Sequence, residues 1–311
     1  MEVIYLDEKV DFSKERTVIG LGNFDGFHKG HIHLLKEIKN ISKKNALISS
    51  LLIFRTHTDE IFNKKDYKYL SFLSDKFEIL KNFGIDRVFV KSFDVDFSNK
   101  TKEEFLKFLT EELGVFCIVV GDDYTFGRNA EGNVEWLEKN KEKYKLETGI
   151  VSQLKIGEIL VKTSQIKEFL SEGKICFANE FLGRPYTVKG IIVDGNKIGR
   201  TMNSPTANID TSNYFLPKEG VYFTKIEIKG QKYPSLTSIG KNPTFNLGVE
   251  KFEVYILDFF SFIYGETVKI SFLEFMREIK KFNGKSELIE QIKKDKKNAY
   301  KLKCIYKKYF I

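Results

Sequence analysis

The chain has 311 residues, of which 42% are hydrophobic and 30% are charged, and its net charge is +8. This length is sufficient for two domains with separate hydrophobic cores, and the hydrophobic and charged contents are ordinary values for a globular protein. The three cysteines are far apart and odd in number, which argues against a disulfide framework and favours reduced thiols in the cytoplasm.

Apolar segments alternate with amphipathic segments through the first half of the chain. Four apolar segments are predicted to form strands: Thr17–Leu21, Leu47–Phe54, Arg87–Val90 and Phe116–Val120. Three amphipathic segments are predicted to form helices: His31–Lys44, Leu73–Gly84 and Thr101–Gly114, the last with a capping box of Thr101 and Glu104. The alternation predicts an α/β doubly wound parallel sheet, in which ligands bind at the carboxyl ends of the strands.

The loop after the first predicted strand has an unusual composition. Its sequence, GNFDGFHKGH (Gly22–His31), contains two of the four histidines of the chain. Glycines let a backbone approach an anion closely, and the N-terminus of the next helix adds partial positive charge. His28 and His31 are three residues apart, so one helical face presents both imidazoles to a triphosphate. The spacing matches neither a P-loop nor a zinc protease, and a helix cap with surface histidines is the alternative interpretation.

The periodicity changes to two near residue 183, and turn residues become frequent. Five segments are predicted to form strands: Tyr186–Asp194, Gly220–Gly230, Gln231–Gly240, Glu250–Phe259 and Glu266–Phe275. They predict an antiparallel barrel or sandwich, closed by a helix over Lys285–Lys303. We therefore predict two domains, residues 1–182 and 183–311.

Polar residues in the second half indicate a further site. Thr206 and Asn208 place a hydroxyl and an amide oxygen two residues apart, and such oxygens suit Mg²⁺ held together with nucleotide phosphates. A polar turn is the alternative, which the chemistry of this short segment alone favours. Glu253 lies on a strand rich in apolar residues, where burial would raise its pKa and suit a general base. A solvent-facing glutamate is the simpler interpretation.

Lysines are concentrated between Lys293 and Lys308, and we interpret them as the solvated face of the last helix. A basic nucleic-acid-binding protein is a remote alternative, because no element combines basic and aromatic residues convincingly. The most apolar window, Tyr255–Tyr264, contains Asp258 and is too short to cross a bilayer. The N-terminal residues are mixed and acidic, unlike a signal peptide. We predict a cytoplasmic monomer or weak oligomer without nucleic-acid or membrane partners.

Several motifs resemble one enzyme family in the same order along the chain. GNFDGFHKGH resembles the GxFDGxHxGH signature of nucleotidyltransferases, in particular the N-terminal module of bacterial bifunctional riboflavin kinase/FAD synthetases. The segment GDDYTFGRNAEGNVEWL (Gly121–Leu137) resembles another motif of that module. GRTMNSPTANID (Gly199–Asp210) and SIGKNPTF (Ser238–Phe245) resemble riboflavin kinase motifs. The resemblance covers nearly the whole chain and implies a Rossmann-like, HxGH-type domain followed by a β-barrel kinase domain with a C-terminal helix.

The resemblance implies that the first domain transfers the adenylyl group of ATP to FMN by direct attack on the α-phosphate. It implies ATP contacts at Gly22, Asn23, Phe24, Asp25, His28, His31, Ser164 and Lys167, with His28 and His31 as catalytic residues. It implies flavin or substrate contacts at His57, Asp123 and Phe126.

The resemblance implies that the second domain phosphorylates riboflavin, with Glu253 as the catalytic base and Arg277 near flavin or phosphate. It implies ATP contacts at Gly190, Lys197, Gly199, Thr206 and Asn208, with Mg²⁺ at Thr206 and Asn208. The expected partners are therefore the small molecules riboflavin, FMN and ATP, and both steps are expected to use Mg²⁺.

Two segments depart from the family pattern. The segment Phe54–Glu60 keeps His57 but lacks two usual prolines, and Lys167 stands where an arginine is usual. Lysine supplies charge without the bidentate geometry of a guanidinium. A riboflavin kinase with a weakened or inactive adenylyltransferase module therefore remains an alternative.

Overall fold

The computed structural model describes residues 1–7, 11–56, 67–193, 206–211, 213–241, 250–259 and 261–310. The chain divides into two compact units, Met1–Thr163 and Ser164–Ile311. Residues 164–182, which we assigned to the first domain from the sequence, group with the second unit. The boundary at residue 183 stays a prediction of where the two activities divide.

The first unit is built on a parallel sheet. Its strands are β1 (Glu2–Tyr5), β2 (Thr17–Leu21), β3 (Ile48–Phe54), β4 (Arg87–Lys91), β5 (Val115–Gly121), β6 (Thr125–Phe126), β7 (Gly132–Asn133), β8 (Glu147–Val151), β9 (Lys155–Ile156) and β10 (Ile159–Leu160). Six of them form one sheet in the order β1-β4-β3-β2-β5-β8, in which every pair is parallel. The doubly wound sheet predicted from the alternating pattern is confirmed.

Helices cover both faces of this sheet. They are α1 (Lys29–Asn45), α2 (Leu73–Phe83), α3 (Val95–Ser98), α4 (Lys102–Lys107) and α5 (Val134–Asn140). All five residues of β2 are buried. Its consecutive residues Val18 and Ile19 pack into separate hydrophobic clusters on the two faces of the sheet. Helix α1 lies so close to β2 that a Cβ atom on Gly20 would be 2.5 Å from Cδ1 of Ile38.

The local signals for helix boundaries are confirmed at two places. Helix α2 ends at Gly84, which adopts φ 79°. Helix α4 begins at the capping box of Thr101 and Glu104. It differs from the prediction at its other end, because it continues as a π-helical turn over Phe108–Glu112 before the chain turns at Gly114.

The second unit contains a closed barrel. Its elements are α6 (Thr163–Ser171), α7 (Ile175–Leu182), β11 (Tyr186–Val193), β12 (Ala207–Asp210), β13 (Gly220–Ile228), β14 (Gln231–Lys241), β15 (Glu250–Ile256), β16 (Thr267–Arg277) and α8 (Lys285–Ile305). The barrel order is β11-β12-β15-β14-β13-β16, so the fold is a barrel and not a sandwich. Strand β12 was not among the five predicted strands.

Aromatic side chains fill the barrel, and α8 covers part of its outside. The ring of Phe272 lies 5.2 Å from that of Tyr222 and 6.2 Å from that of Phe252, although β15 and β16 are not neighbours. Ala299 of α8 packs in a separate cluster with Phe223, which points the other way. The predicted C-terminal helix is therefore confirmed. Among the helices of the described ranges, none is long and apolar enough to cross a membrane.

Candidate active sites

Residues 22–28, the histidine loop, connect β2 to α1 at the carboxyl edge of the sheet. The backbone of this loop is left-handed at Phe24 (φ 50°), Gly26 (φ 79°) and Phe27 (φ 41°). A left-handed conformation costs a residue other than glycine roughly 1–2 kcal/mol, and such residues persist where the surroundings over-determine them. Both phenylalanine side chains are fully buried and stack with ring centroids 5.4 Å apart. Core packing therefore holds the loop in a strained shape.

The side chain of Asp25 ties the loop to the segment before α2. Asp25 is 1% exposed, and its carboxylate accepts hydrogen bonds from the backbone N–H groups of Leu70 and Ser71, each at 3.0 Å. The hydroxyl of Tyr67 donates to the same carboxylate at 3.1 Å. A buried carboxylate with several donors is a scaffold for the backbone around it. Asp25 therefore shapes the predicted ATP site through the loop backbone.

His28 and His31 lie together at the N-terminus of α1. Their rings stack with centroids 3.7 Å apart and an interplanar angle of 15°. His28 is the N-cap residue of α1, and its Nδ1 atom accepts from the backbone N–H of His31 at 3.3 Å. A neutral ring whose Nδ1 accepts carries its proton on Nε2, so His28 keeps an Nε2–H donor. The predicted histidine pair is thus assembled where the helix dipole favours negative charge.

Neighbouring groups fix the directions of both rings. The His31 ring makes edge-to-face contacts with the rings of Phe24 and Phe27, with centroids 5.2 and 6.0 Å apart. A Cβ atom on Gly30 would lie 3.1 Å from Nδ1 of His28, so a larger residue would press on that imidazole. The sequence around the histidines therefore determines their orientation as well as their position.

The other residues predicted for the first site have different surroundings. Asp123 is exposed, and one of its carboxylate oxygens lies 3.8 Å from Nζ of Lys162. Phe126 is buried and contacts Phe105 and Trp136, with centroids 5.6 and 6.1 Å apart. Phe126 therefore packs in the core of the first unit, and its contact with substrate stays a prediction.

Helix α6 contains two further predicted ATP contacts. Ser164 is exposed in its first turn. The ammonium group of Lys167 lies 5.5 Å from the ring centroid of Phe215. His57 falls outside the described residues.

The register of the barrel strands brings together the second set of predicted residues. Asn208 on β12 is opposite Glu253 on β15, and Glu253 is opposite Ser238 on β14. Directly opposed residues project from the same face with Cβ atoms roughly 4.5–5.5 Å apart. Phe252 and Val254 are buried on the inner face, so this polar row lies on the outside of the barrel.

Gly190 lies on β11, which pairs with β12, and Thr206 lies two residues before Asn208. A Cβ atom on Gly190 would lie 2.4 Å from Cγ2 of Ile209 and 2.5 Å from the carbonyl oxygen of Asp210. Gly190 therefore lets β11 and β12 approach closely, next to the predicted nucleotide site. Thr206 is half-buried immediately before β12. Lys197 and Gly199 fall outside the described residues.

Arg277, which we predicted near flavin or phosphate, forms an ion pair with Asp295 in the structure. Its Nε and Nη2 atoms donate to Asp295 of α8 at 3.1 and 2.7 Å, and Gln291 donates to the same carboxylate at 2.8 Å. Asp295 is 5% exposed. The ion pair neutralises the guanidinium charge of Arg277 and joins α8 to β16.

Sequence reasoning missed the residues that hold these sites in place. Lys76, Ser71 and Asp295 are all buried, and they form hydrogen bonds with Asn23, Asp25 and Arg277 of the predicted sites. The signal for Lys76 was its helical spacing, because it lies four residues before the buried Leu80 and shares a face with it. No local signal pointed to Ser71.

Comparisons with known proteins match the two parts of the chain to two enzyme families. A family model described as FAD synthetase matches residues 11–165, and one described as riboflavin kinase matches residues 182–303. A bifunctional riboflavin kinase/FMN adenylyltransferase from Listeria monocytogenes is 36% identical over 96% of this chain and 97% of its own length. The protein of the same name from Bacillus subtilis is 32% identical, with the same coverage of both chains.

A solved structure resembles nearly the whole chain. A crystal structure described as a macrolide-efflux protein from Streptococcus pneumoniae is 29% identical and superposes with a TM-score of 0.87. The match covers 96% of this chain and 99% of that chain. Its name refers to efflux, whereas the family models and the two relatives are named for flavin nucleotide enzymes.

Proposed function

Because this chain belongs to the family of bifunctional riboflavin kinases/FMN adenylyltransferases, we propose that it converts riboflavin to FAD in two steps. The second unit transfers the γ-phosphoryl group of ATP to riboflavin, which gives FMN and ADP. The first unit transfers the adenylyl group of a second ATP to FMN, which gives FAD and pyrophosphate. The observation that carries the proposal is that each family match coincides with one assembled site.

In the adenylyl transfer, a phosphate oxygen of FMN attacks the α-phosphorus of ATP. A new P–O bond forms, and the bond from the α-phosphorus to the oxygen of the leaving pyrophosphate breaks. Negative charge grows on that oxygen, and the Nε2–H of His28 together with the imidazole of His31 stabilises it. The partial positive charge at the N-terminus of α1 adds to this effect. We assign Gly22, Asn23 and Asp25 to the shape of the ATP site.

In the kinase step, the carboxylate of Glu253 accepts the proton of the ribityl 5′-hydroxyl as its oxygen attacks the γ-phosphorus. Asn208 lies directly across from Glu253, so one row of the barrel presents both the base and a nucleotide contact. Thr206 and Asn208 offer neutral oxygens, which Mg²⁺ accepts when nucleotide phosphates supply the charged ligands. Bound there, Mg²⁺ would neutralise the phosphate charge.

The proposal predicts an ordered appearance of products. Purified chain with riboflavin, ATP and MgCl₂ should form FMN first and FAD afterwards, as followed by chromatography of the flavins. Accumulation of FMN without FAD would instead favour a kinase whose first unit is inactive. Formation of neither product would refute the proposal.

We also propose that the chain acts on small molecules in the cytoplasm as a monomer or weak oligomer, without nucleic-acid or membrane partners. Light scattering after size exclusion tests the oligomeric state. Binding of a fluorescent RNA or DNA duplex at physiological salt would contradict the proposed partners.

A further inference from the structure

A buried lysine contacts the histidine loop from α2. Lys76 is 5% exposed, and its Nζ atom donates to the backbone carbonyl oxygen of Asn23 at 2.9 Å. Burial lowers the pKa of Lys76, while the charges of Asp25 and Asp75 act to raise it. Burying an ammonium group is unfavourable unless it is paired and hydrogen-bonded. An apolar residue at this position of α2 could be buried without the cost of desolvating a charge. Packing alone therefore does not explain why a lysine contacts the loop here.

The contacts of Lys76 and Asp25 run in opposite directions between the same two segments. Asp25 reaches from the loop to the N–H groups of Leu70 and Ser71, whereas Lys76 reaches from α2 to the loop. The backbone N–H of Gly26 adds a third tie, because it donates to Oγ of Ser71 at 2.8 Å. Loop residues 23, 25 and 26 are therefore all fastened to residues 70–76.

These ties act on the part of the loop that determines the placement of the imidazoles. The left-handed residues Phe24 and Phe27 contact the ring of His31. His28 follows Phe27 directly in the chain, and its ring stacks on that of His31. If the backbone at Asn23 moved, both rings would move with it. Displacement of catalytic groups by about 1 Å lowers rates roughly 100-fold, so fixing the loop has a direct chemical consequence.

We propose that Lys76 is a positioning residue for the adenylyl transfer, which fixes the histidine loop so that His28 and His31 meet the reacting phosphates. The assignment rests on the proposed function of the first unit. Lys76 acts through the carbonyl group of Asn23 and is not itself a catalytic residue.

The test replaces Lys76 with methionine, whose unbranched side chain is one heavy atom shorter and has neither a charge nor a hydrogen-bond donor. Lys76→Met should lower kcat for FMN adenylylation by about 10- to 100-fold, while KM for ATP changes by less than about threefold. Riboflavin phosphorylation by the same preparation should stay unchanged, which shows that the second unit is folded, and unchanged fluorescence of Trp136 should show the same for the first unit.

A matched control lies in the same unit. Lys39 also donates from Nζ to a backbone carbonyl, that of Gly84, at 2.6 Å, but it lies far along α1 from the loop. Lys39→Met should leave kcat for FMN adenylylation within about twofold of the original value. If Lys76→Met kept the original kcat, or if both variants lowered it equally, the positioning role would be overturned.

A second readout does not depend on turnover. In ¹H–¹³C spectra of the imidazole groups, Lys76→Met should shift the signals of His28 and His31 and leave that of the exposed His33 in place. If the imidazole signals of His28 and His31 did not move, the positioning role of Lys76 would be overturned, whether or not the original chain made FAD. If the original chain made no FAD, only the proposed function of the first unit would be refuted. If Lys76→Met did not fold, Ser71→Ala would remove one tie more gently, and an unchanged kcat and unmoved signals would count against the proposal.

Discussion

Removal of Arg277 should destabilise the second unit strongly, because its partner is buried. The side chains of Arg277 and Asp295 are 17% and 7% exposed, and two guanidinium nitrogens donate to one carboxylate. Breaking a buried ion pair by removing one partner costs about 3–5 kcal/mol, since the remaining charge is left uncompensated. We therefore expect Arg277→Met to lower the free energy of unfolding of this unit by that amount.

Replacing both partners separates docking from ligand binding. The double variant Arg277→Met, Asp295→Leu should regain most of the loss, because replacing a buried ion pair by apolar residues is often neutral or stabilising. If Arg277 only docks α8, this variant should bind riboflavin with an unchanged KM. If Arg277 contacts the flavin as the family resemblance implies, KM should rise even though stability is restored.

The assay can follow the two units separately. The single tryptophan, Trp136, lies in the first unit, so its fluorescence should report an unchanged urea midpoint there. Loss of kinase activity with urea reports the second unit. A loss below about 1 kcal/mol for Arg277→Met would refute the reasoning, since it would mean that water reaches the carboxylate of Asp295.

Three further predictions test the sites and the titrating groups. His31→Ala should lower FAD formation by about 100-fold or more while FMN formation continues, and Glu253→Gln should abolish FMN formation while supplied FMN is still adenylylated. Equal damage to both activities in folded protein would contradict two separate sites. Burial raises the pKa of the Cys117 thiol to about 12, so at pH 8 a thiol reagent should modify two of the three cysteines until denaturant is added, and immediate modification of all three would be inconsistent with this burial. Partial burial acts to raise the pKa of Asp86, but hydrogen bonds from Ser49 and the charge of Lys39 lower it overall. The ionised carboxylate of Asp86 therefore stabilises the fold above its unfolded pKa of about 4, and this stabilisation is lost as the pH falls through the folded pKa. In thermal melts at several pH values, Asp86→Asn should show a smaller fall in stability on the acid side than the original chain does.

The elements with strong local signals could be predicted from the sequence. Strand β2 is a continuous apolar run, and α2 ends at a glycine that takes a left-handed φ, so both follow from short-range physics. Strand β12 has only four residues. Asn208 within it lies next to Glu253 only because β12 pairs with β15, and Glu253 comes 45 positions later in the chain. Such a pairing depends on barrel closure and leaves no local pattern.

The sequence motifs also did not show which side chains face a predicted site and which ones pack or form hydrogen bonds elsewhere. Asp25 belongs to the same signature as His28, yet its carboxylate faces backbone amides of residues 70 and 71. Phe126 belongs to a motif next to the site, yet its ring packs in the core. A motif identifies which positions matter, whereas the direction of each side chain depends on contacts far away in sequence.

The two sites depend on different kinds of structural constraint, and they should therefore fail differently. The polar row of Asn208, Glu253 and Ser238 is fixed by strand register. A slip of one residue in β12 would turn Asn208 into the barrel and away from Glu253. The histidine pair is fixed by a strained loop that buried side chains fasten, so small losses of those ties should shift the imidazoles gradually. We expect graded losses of adenylylation from variants around the loop, and abrupt losses of phosphorylation from variants that disturb the pairing of β12.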